Sequence, residues 1–299
     1  MDPIAFLTQF WSGLYSACFL FLTAAGLTLV FGVGDFFNFA HGAFFMLGGY
    51  VGFSLSHYLG VPFFACPVIA TAAISLVAWA IFRLLIFRFG VNRANFTVQL
   101  LSTYGLLLIM SNGARLLWGN NFISQKIPQA LARPLPLFSF SLSGYQFVIV
   151  FVTLGVALTS ILAIHFGRFG RIVRAAINDP KMVEHLGVRT NRVIEIIFMV
   201  GAAMAALGGS LAVPILAITP TAGDDLIISA LIVTVIAGRG NLLGAAMAAI
   251  LIAEMTSFGN LILPRVSPAL AYLVALAVLA LKPRGLCRPL ISDEHADRV

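Results

Sequence analysis

The feature that most constrains this chain is a series of apolar segments, each about long enough to cross a bilayer. They fall at about 10–31, 39–58, 62–87, 97–118, 145–166, 193–217, 226–238, 241–262 and 267–282. A bilayer core asks for roughly 20 apolar residues per helix. The segment at 226–238 is short for a full crossing and reads as a half-helix or re-entrant element. Composition supports the same solvent. Charged residues make up 10% of the chain and hydrophobic residues 60%, with a mean hydropathy of +1.01. Soluble domains carry roughly 25% charged residues, so a chain this apolar could not cover its own surface in water. The expected fold is all-α: a polytopic transmembrane helix bundle of about 8–10 membrane segments, some of them broken or re-entrant. No soluble domain separates from it, so residues 1–299 read as one transmembrane domain.

Charge orients the segments. Arg83, Arg88 and Arg93 follow the third segment. Arg168, Arg171, Arg174, Lys181, Arg189 and Arg192 follow the fifth, and Lys282, Arg284, Arg288 and Arg298 end the chain. About nine crossings, with the N-terminus outside and the C-terminus in the cytoplasm, put all three basic clusters inside. The loop 119–144 then lies outside, kept irregular by Pro128, Pro134 and Pro136. The net charge of +7 is therefore a topology signal. No basic tract with interleaved aromatics points to nucleic acid. Cys18, Cys66 and Cys287 have neither disulfide nor zinc spacing, so no metal site is expected.

Three clusters stand out. Gly32 to Gly49 reads GVGDFFNFAHGAFFMLGG, where Asp35, Asn38 and His41 interrupt an apolar region rich in glycine. It reads either as a broken helix on a substrate path or as a loop joining two spans, the second being favoured for Asp35. In 167–192, Asp179-Pro180 reads as N-cap and first position of a short helix over Lys181 to Leu186, stopped by Gly187. A compact helix between two spans is what a docking element looks like; a solvated basic loop is the other reading. Acids in apolar surroundings form the third cluster. Asp224 and Asp225 fit an outer loop, whereas Glu254 sits deep in its segment and is expected in the bundle interior, near Arg239 or Arg265. Glycines such as Gly48, Gly49, Gly52, Gly201, Gly208 and Gly209 fit close helix packing.

Catalytic signatures are absent. None of Lys126, Lys181 and Lys282 sits in a Gly-Lys-Ser/Thr phosphate loop, and there is neither a Gly-x-Ser-x-Gly elbow nor a His-Glu-x-x-His zinc motif. No catalytic residue is assigned.

The string Gly26-Leu27-Thr28-Leu29-Val30-Phe31-Gly32, then Asn38-Phe39-Ala40-His41-Gly42 and Phe45-Met46-Leu47-Gly48, resembles the permease subunits of branched-chain amino-acid type ABC importers, whose relatives also carry urea, amides and small acids. Gly170-Arg171, Arg174-Ala175, Asp179-Pro180, Leu186-Gly187-Val188, Gly244-Ala245, Glu254 and Lys282-Pro283-Arg284-Gly285-Leu286 extend the resemblance along nearly the whole chain. One departure is Ala237-Gly238-Arg239-Gly240-Asn241, where relatives have a Gly-Gly-x-Gly-Ser turn. The resemblance implies a transport subunit of a bacterial inner membrane, not an enzyme, that forms half of a translocation pathway. Its implied partners are a second permease, two ATP-binding cassette subunits, an extracytoplasmic substrate-binding protein and membrane lipid. It implies no cofactor on this chain, with ATP and Mg on the ATPases. Asn38, His41 and Glu254 would line the path, and Arg174, Asp179, Pro180, Glu184 and Gly187 would belong to a coupling loop over about 167–192. An ion-coupled secondary transporter is the competing reading; it would need matching buried charges in two halves, and none is evident.

Overall fold

The computed structural model describes residues 3–87, 90, 95–132, 134–137, 140–262 and 264–282. The tail from Pro283 onward, with its basic cluster and the end of the family-like ending, lies outside the described residues, as do Arg88, Arg93 and Arg133.

Every apolar segment becomes a helix. In order these are α1 (Pro3–Gly34), α2 (His41–Leu59), α3 (Ala65–Ile81), α4 (Phe96–Trp118), α6 (Gly144–Phe166), α9 (Thr190–Leu216), α10 (Ala222–Ala237), α11 (Leu242–Ile262) and α12 (Ser267–Leu281). Between them lie the short α5 (Gln129–Ala132) and the paired α7 (Arg168–Asn178) and α8 (Pro180–His185). A π-helical turn, Phe82–Phe87, continues α3. Among the described residues, six helices are long and apolar enough to cross a membrane: α1, α3 with its π turn, α4, α6, α9 and α11. α2 is diluted by glycine, serine and histidine, while α10 and α12 have only 16 and 15 residues. The expected irregular loop at 119–144 is more ordered than its prolines suggested. Besides α5 it holds an antiparallel hairpin of β1 (Pro134–Leu137) and β2 (Phe140–Ser143), pairing Pro134 with Ser143 and Leu137 with Phe140. A two-stranded ribbon has only edge strands, where proline is tolerated.

The core is built by close approach. A Cβ added at Gly26 of α1 would lie 2.5 Å from the Gly201 carbonyl of α9, and one at Gly201 would lie 2.9 Å from the Gly26 carbonyl. Gly48 of α2 abuts the Ala206 backbone, Gly209 abuts the Phe45 carbonyl, and Gly52 meets Ser210. Lipid offers no hydrophobic drive between helices, so association rests on packing of this kind. Across the α1–α10 contact, Thr28 Oγ1 donates to Thr234 Oγ1 at 3.2 Å.

α2 begins beside the middle of α1. Gly208 packs against both Leu22 of α1 and Phe45 of α2, so Phe45 lies level with Leu22. Leu22 is 12 residues before Gly34, or about 18 Å along a helix at 1.5 Å per residue. Residues 35–40 therefore run back up through the bundle, non-helical, with Phe36, Asn38 and Ala40 all fully buried. α10 likewise starts inside. Its Gly223 meets Gly42 at the start of α2, where a Cβ on Gly223 would lie 2.9 Å from the Gly42 carbonyl. Two helix N-termini thus meet within the bundle.

The perimeter is apolar. Phe151, Leu154, Leu158 and Leu162 of α6, Val68 and Leu76 of α3, and Leu101 and Ile109 of α4 are all exposed. These faces suit lipid contact.

Replacing Gly48 with leucine is expected to lower the melting temperature in detergent by several degrees, since overpacking costs roughly 1–3 kcal/mol or more. Gly105→Ala, at a glycine with open space around it, is expected to leave it unchanged or raise it slightly. Equal melting of the two variants by differential scanning fluorimetry would contradict the packing described.

Candidate functional site

The residues singled out from sequence fall into two main regions, with Glu254 apart from both. The first is the α1–α2 break. Asn38 and His41 are both fully buried, and the His41 backbone N–H donates to the Asn38 carbonyl at 3.2 Å. Neither the Asn38 amide nor either His41 ring nitrogen has a partner of normal hydrogen-bond geometry, although the Thr23 backbone stands within reach of the imidazole. Phe44 packs edge-on to His41, with ring centroids 5.9 Å apart. Thr103 of α4 donates within its own helix to the Gln99 carbonyl at 2.8 Å, and its hydroxyl lies 3.5 Å from the Phe37 carbonyl, so α4 stands against the side of the break.

Asp35 is exposed, with φ +47°, and pairs with Arg239, whose guanidinium lies 5.2 Å from the Phe31 ring. Arg239 thus fastens the α10–α11 turn to the break. That turn uses left-handed glycines at Gly238 and Gly240, and Asn241 Oδ1 accepts from the Gly244 N–H at 2.9 Å to cap α11.

The pairing of Arg239 with Asp35 overturns the expected proximity of Glu254 to Arg239. Arg265 has no ion pair with Glu254 either; the ion pairs among described residues are Arg83–Glu195 and Arg239–Asp35. Glu254 is 8% exposed and both carboxyl oxygens lack a partner. Its carboxyl lies over Gly13, where α1 offers no side chain to obstruct it. Nearby, Gln9, Ser12, Ser16, Ser229, Thr256 and Asn260 line a groove of about 260 Å³ between α1, α10 and α11. Asn38 and His41 lie together at the break; Glu254 lies apart from them, on the opposite half of α1. Asp224 and Asp225, expected in a loop, stand in the first turn of α10, where the positive end of the helix dipole favours acids.

The second region is the α7–α8 pair. α7 is strongly amphipathic and buries Gly170, Val173 and Ala176. Arg174 turns back to α6: its Nη1 donates to the Ile164 carbonyl and, at 3.0 Å, to the His165 carbonyl. A guanidinium satisfying the orphan carbonyls of a helix end anchors one helix on the other. Asp179 Oδ1 accepts from the Met182 N–H at 2.9 Å, Pro180 opens α8, and Gly187 has φ +83°. Gly187 N–H donates to the Glu184 carbonyl at 2.9 Å and Val188 N–H to the Val183 carbonyl at 3.2 Å, the paired bonds of a Schellman stop. Glu184 accepts from Thr190 Oγ1, tying α8 to α9. Six residues are thereby fixed at both ends, with Met182 57% and Leu186 75% exposed. A cleft of about 570 Å³ adjoins them, lined by Arg83, Glu184, Arg189, Arg192 and Glu195. Ile177, at the end of α7, touches the α10–α11 turn at Gly240.

A broken-helix bundle of this kind, with a capped helix pair between two spans, is that of a multi-pass membrane protein. Comparison with known proteins carries this further. The family model for the permease component of branched-chain amino acid transport systems matches residues 9–281, and the chain belongs to that family. It is 29% identical over 300 residues to the high-affinity branched-chain amino acid transport permease LivH of Escherichia coli K12, covering 94% of this chain and 95% of that one. It is 27% identical to BraD of Pseudomonas aeruginosa, with the same coverage. A probable permease of Methanocaldococcus jannaschii is 26% identical over 76% of this chain and 72% of its own. The chain is thus a permease subunit of an ABC import system, not an enzyme and not an ion-coupled carrier.

Asp179→Ala is expected to cost about 1 kcal/mol of local helix stability through the lost cap. Hydrogen exchange at the α8 amides should then quicken roughly fivefold, while Asp179→Ser should restore most of the protection. Unchanged exchange in the alanine variant would contradict the cap.

Proposed function

We propose that this chain forms half of the translocation pathway of an ATP-driven importer for branched-chain amino acids or related small polar solutes. The names of the relatives support the substrate class. The whole chain acts as one permease domain beside a second permease, with two ATP-binding cassette subunits beneath and a substrate-binding protein outside. ATP and magnesium are held by the cassette subunits. The chain sits in a bacterial inner membrane with its N-terminus outside and its C-terminus in the cytoplasm, an orientation supported by the basic residues of α7 and α8.

The observation that carries the coupling role is the exposed apolar pair Met182 and Leu186 on a helix capped at both ends. A rigid, partly apolar knob fits a groove on an ATPase and loses little entropy on docking. Asp179, Pro180, Glu184 and Gly187 shape that knob, and Arg174 makes its base stiff. Motion of α7–α8 reaches the bundle through Ile177 on Gly240 and then through Arg239 on Asp35. Asn38 and His41, held without partners at the break, supply polar groups to the path when the break opens, and Glu254 does so from the α11 side.

The test is ATP hydrolysis and uptake in the reconstituted complex. Met182→Asp with Leu186→Asp is expected to cut uptake and binding-protein-stimulated hydrolysis at least tenfold, as loss of central interface anchors does, without changing the melting temperature of the isolated chain. Wild-type uptake by the double variant would overturn the docking role of α8.

A further inference from the structure

Beneath α7 the chain leaves an open crevice that the coupling account does not use. Its volume is about 430 Å³, and Leu29 of α1, Ala163 of α6, Val173 of α7, and Ile197 and Val200 of α9 line it, with Arg168 on the same wall. Leu29, Val173 and Ile197 are buried, whereas Ala163 and Val200 are exposed. Beyond them the surface stays apolar, with Leu158 and Leu162 of α6 and Ile196 of α9 exposed. The crevice therefore opens towards lipid. Of the hydroxyls on its α6 wall, that of Thr159 is already satisfied within the helix, donating to the Gly155 carbonyl at 2.8 Å.

Its depth in the membrane follows from α6. That helix has 23 residues, or about 35 Å at 1.5 Å per residue, against a hydrocarbon core of roughly 30 Å. Its end at Phe166 and the adjoining Arg168 accordingly reach the headgroup layer, and the crevice runs from there into the hydrocarbon. α7 is short, amphipathic and carries Arg168, Arg171 and Arg174, as a helix lying along a membrane surface does.

Charge narrows the headgroup. Arg168 and Arg171 are exposed, and neither has an ion pair among the described residues. From Thr153 to Asn178 the chain has no acid. Glu195 of α9 is held by Arg83, and Asp35 by Arg239. A zwitterionic headgroup would bring its own cation to this uncompensated positive edge; a phosphodiester with no ammonium would not. Basic pockets between membrane helices take anionic headgroups for this reason.

We propose that the crevice between α6 and α9 holds one acyl chain of an anionic phospholipid, whose phosphate lies on Arg168. The bound lipid props α7, the base of the α7–α8 pair, against the bundle. The site depends on the chain being embedded in a membrane and not on the direction or energy source of transport.

The test uses the complete complex in proteoliposomes containing phosphatidylglycerol or phosphatidylcholine with a diazirine in one acyl chain. After irradiation, peptide mass spectrometry maps the adducts. Those on Ala163, Ile197 and Val200 are normalised to those on Ile109 of α4, an exposed apolar position. Phosphatidylglycerol is expected to label the crevice roughly fivefold more than phosphatidylcholine, the size of one cation's contact with an anionic lipid. Arg168→Gln is expected to bring the two lipids level. Ser160→Phe, which fills the crevice, is expected to remove its adducts and leave those on Ile109; either variant suffices if the other fails to assemble. Excess inorganic phosphate is expected to leave the labelling intact. Equal labelling by the two lipids, or a preference unmoved by Arg168→Gln, overturns the site. Suppression by phosphate overturns it in favour of a soluble anion. Absence of crevice adducts in the complex also overturns it, and their appearance in the chain reconstituted alone would then identify a partner subunit as the occupant.

Discussion

The structure depends on backbone meeting backbone between α1, α2 and α9. Gly26 against Gly201, Gly48 against Ala206 and Gly209 against Phe45 bring the helices closer than side chains would permit. In lipid this is where attraction between helices comes from. It also allows α2 to start halfway up α1, because the returning segment 35–40 needs a bundle tight enough to bury non-helical backbone away from lipid. The same contact type, Gly42 on Gly223, seats the start of α10 against the start of α2.

From that arrangement follows a mechanical chain. α7 is anchored to α6 by Arg174 and touches the α10–α11 turn through Ile177. The turn holds Asp35 through Arg239 and lies on α1 where Gly240 N–H donates to the Thr28 carbonyl at 3.3 Å. Arg83 binds Glu195 across α3 and α9 at 2.8 Å beside the same helix pair. The Arg239–Asp35 pair is exposed on both sides and so sets register more than it adds stability, whereas Glu195 of the other pair is largely buried. These contacts form a continuous path from α8 to the break between α1 and α2, where Asn38 and His41 sit, and the proposed coupling would run along it.

Much of this was legible in sequence, for local reasons. Each apolar segment became a helix because length and hydropathy are properties of the segment itself. The α8 caps were legible because Asp-Pro and Leu-Gly act on backbone within a few residues. What was not legible depends on partners far apart in the chain. Arg239 departs from the family turn, and its meaning appears only with Asp35, 204 residues away. Glu254 was placed in the interior, as found, but its neighbour is a glycine and not an arginine. Asp224 and Asp225 read as loop because Thr219, Pro220 and Thr221 precede them, yet α10 opens at Ala222. The hairpin at 134–143 has too many prolines to be recognised from strand propensity.

The central claim is that this chain transports only when separate ATPases drive it through α7 and α8. Its most direct test is accumulation of labelled leucine in proteoliposomes containing the complete complex, binding protein outside and ATP enclosed. The account predicts uptake that requires ATP and every subunit and that is untouched by proton or sodium ionophores. Accumulation by the purified chain alone, driven by an ion gradient, would contradict it.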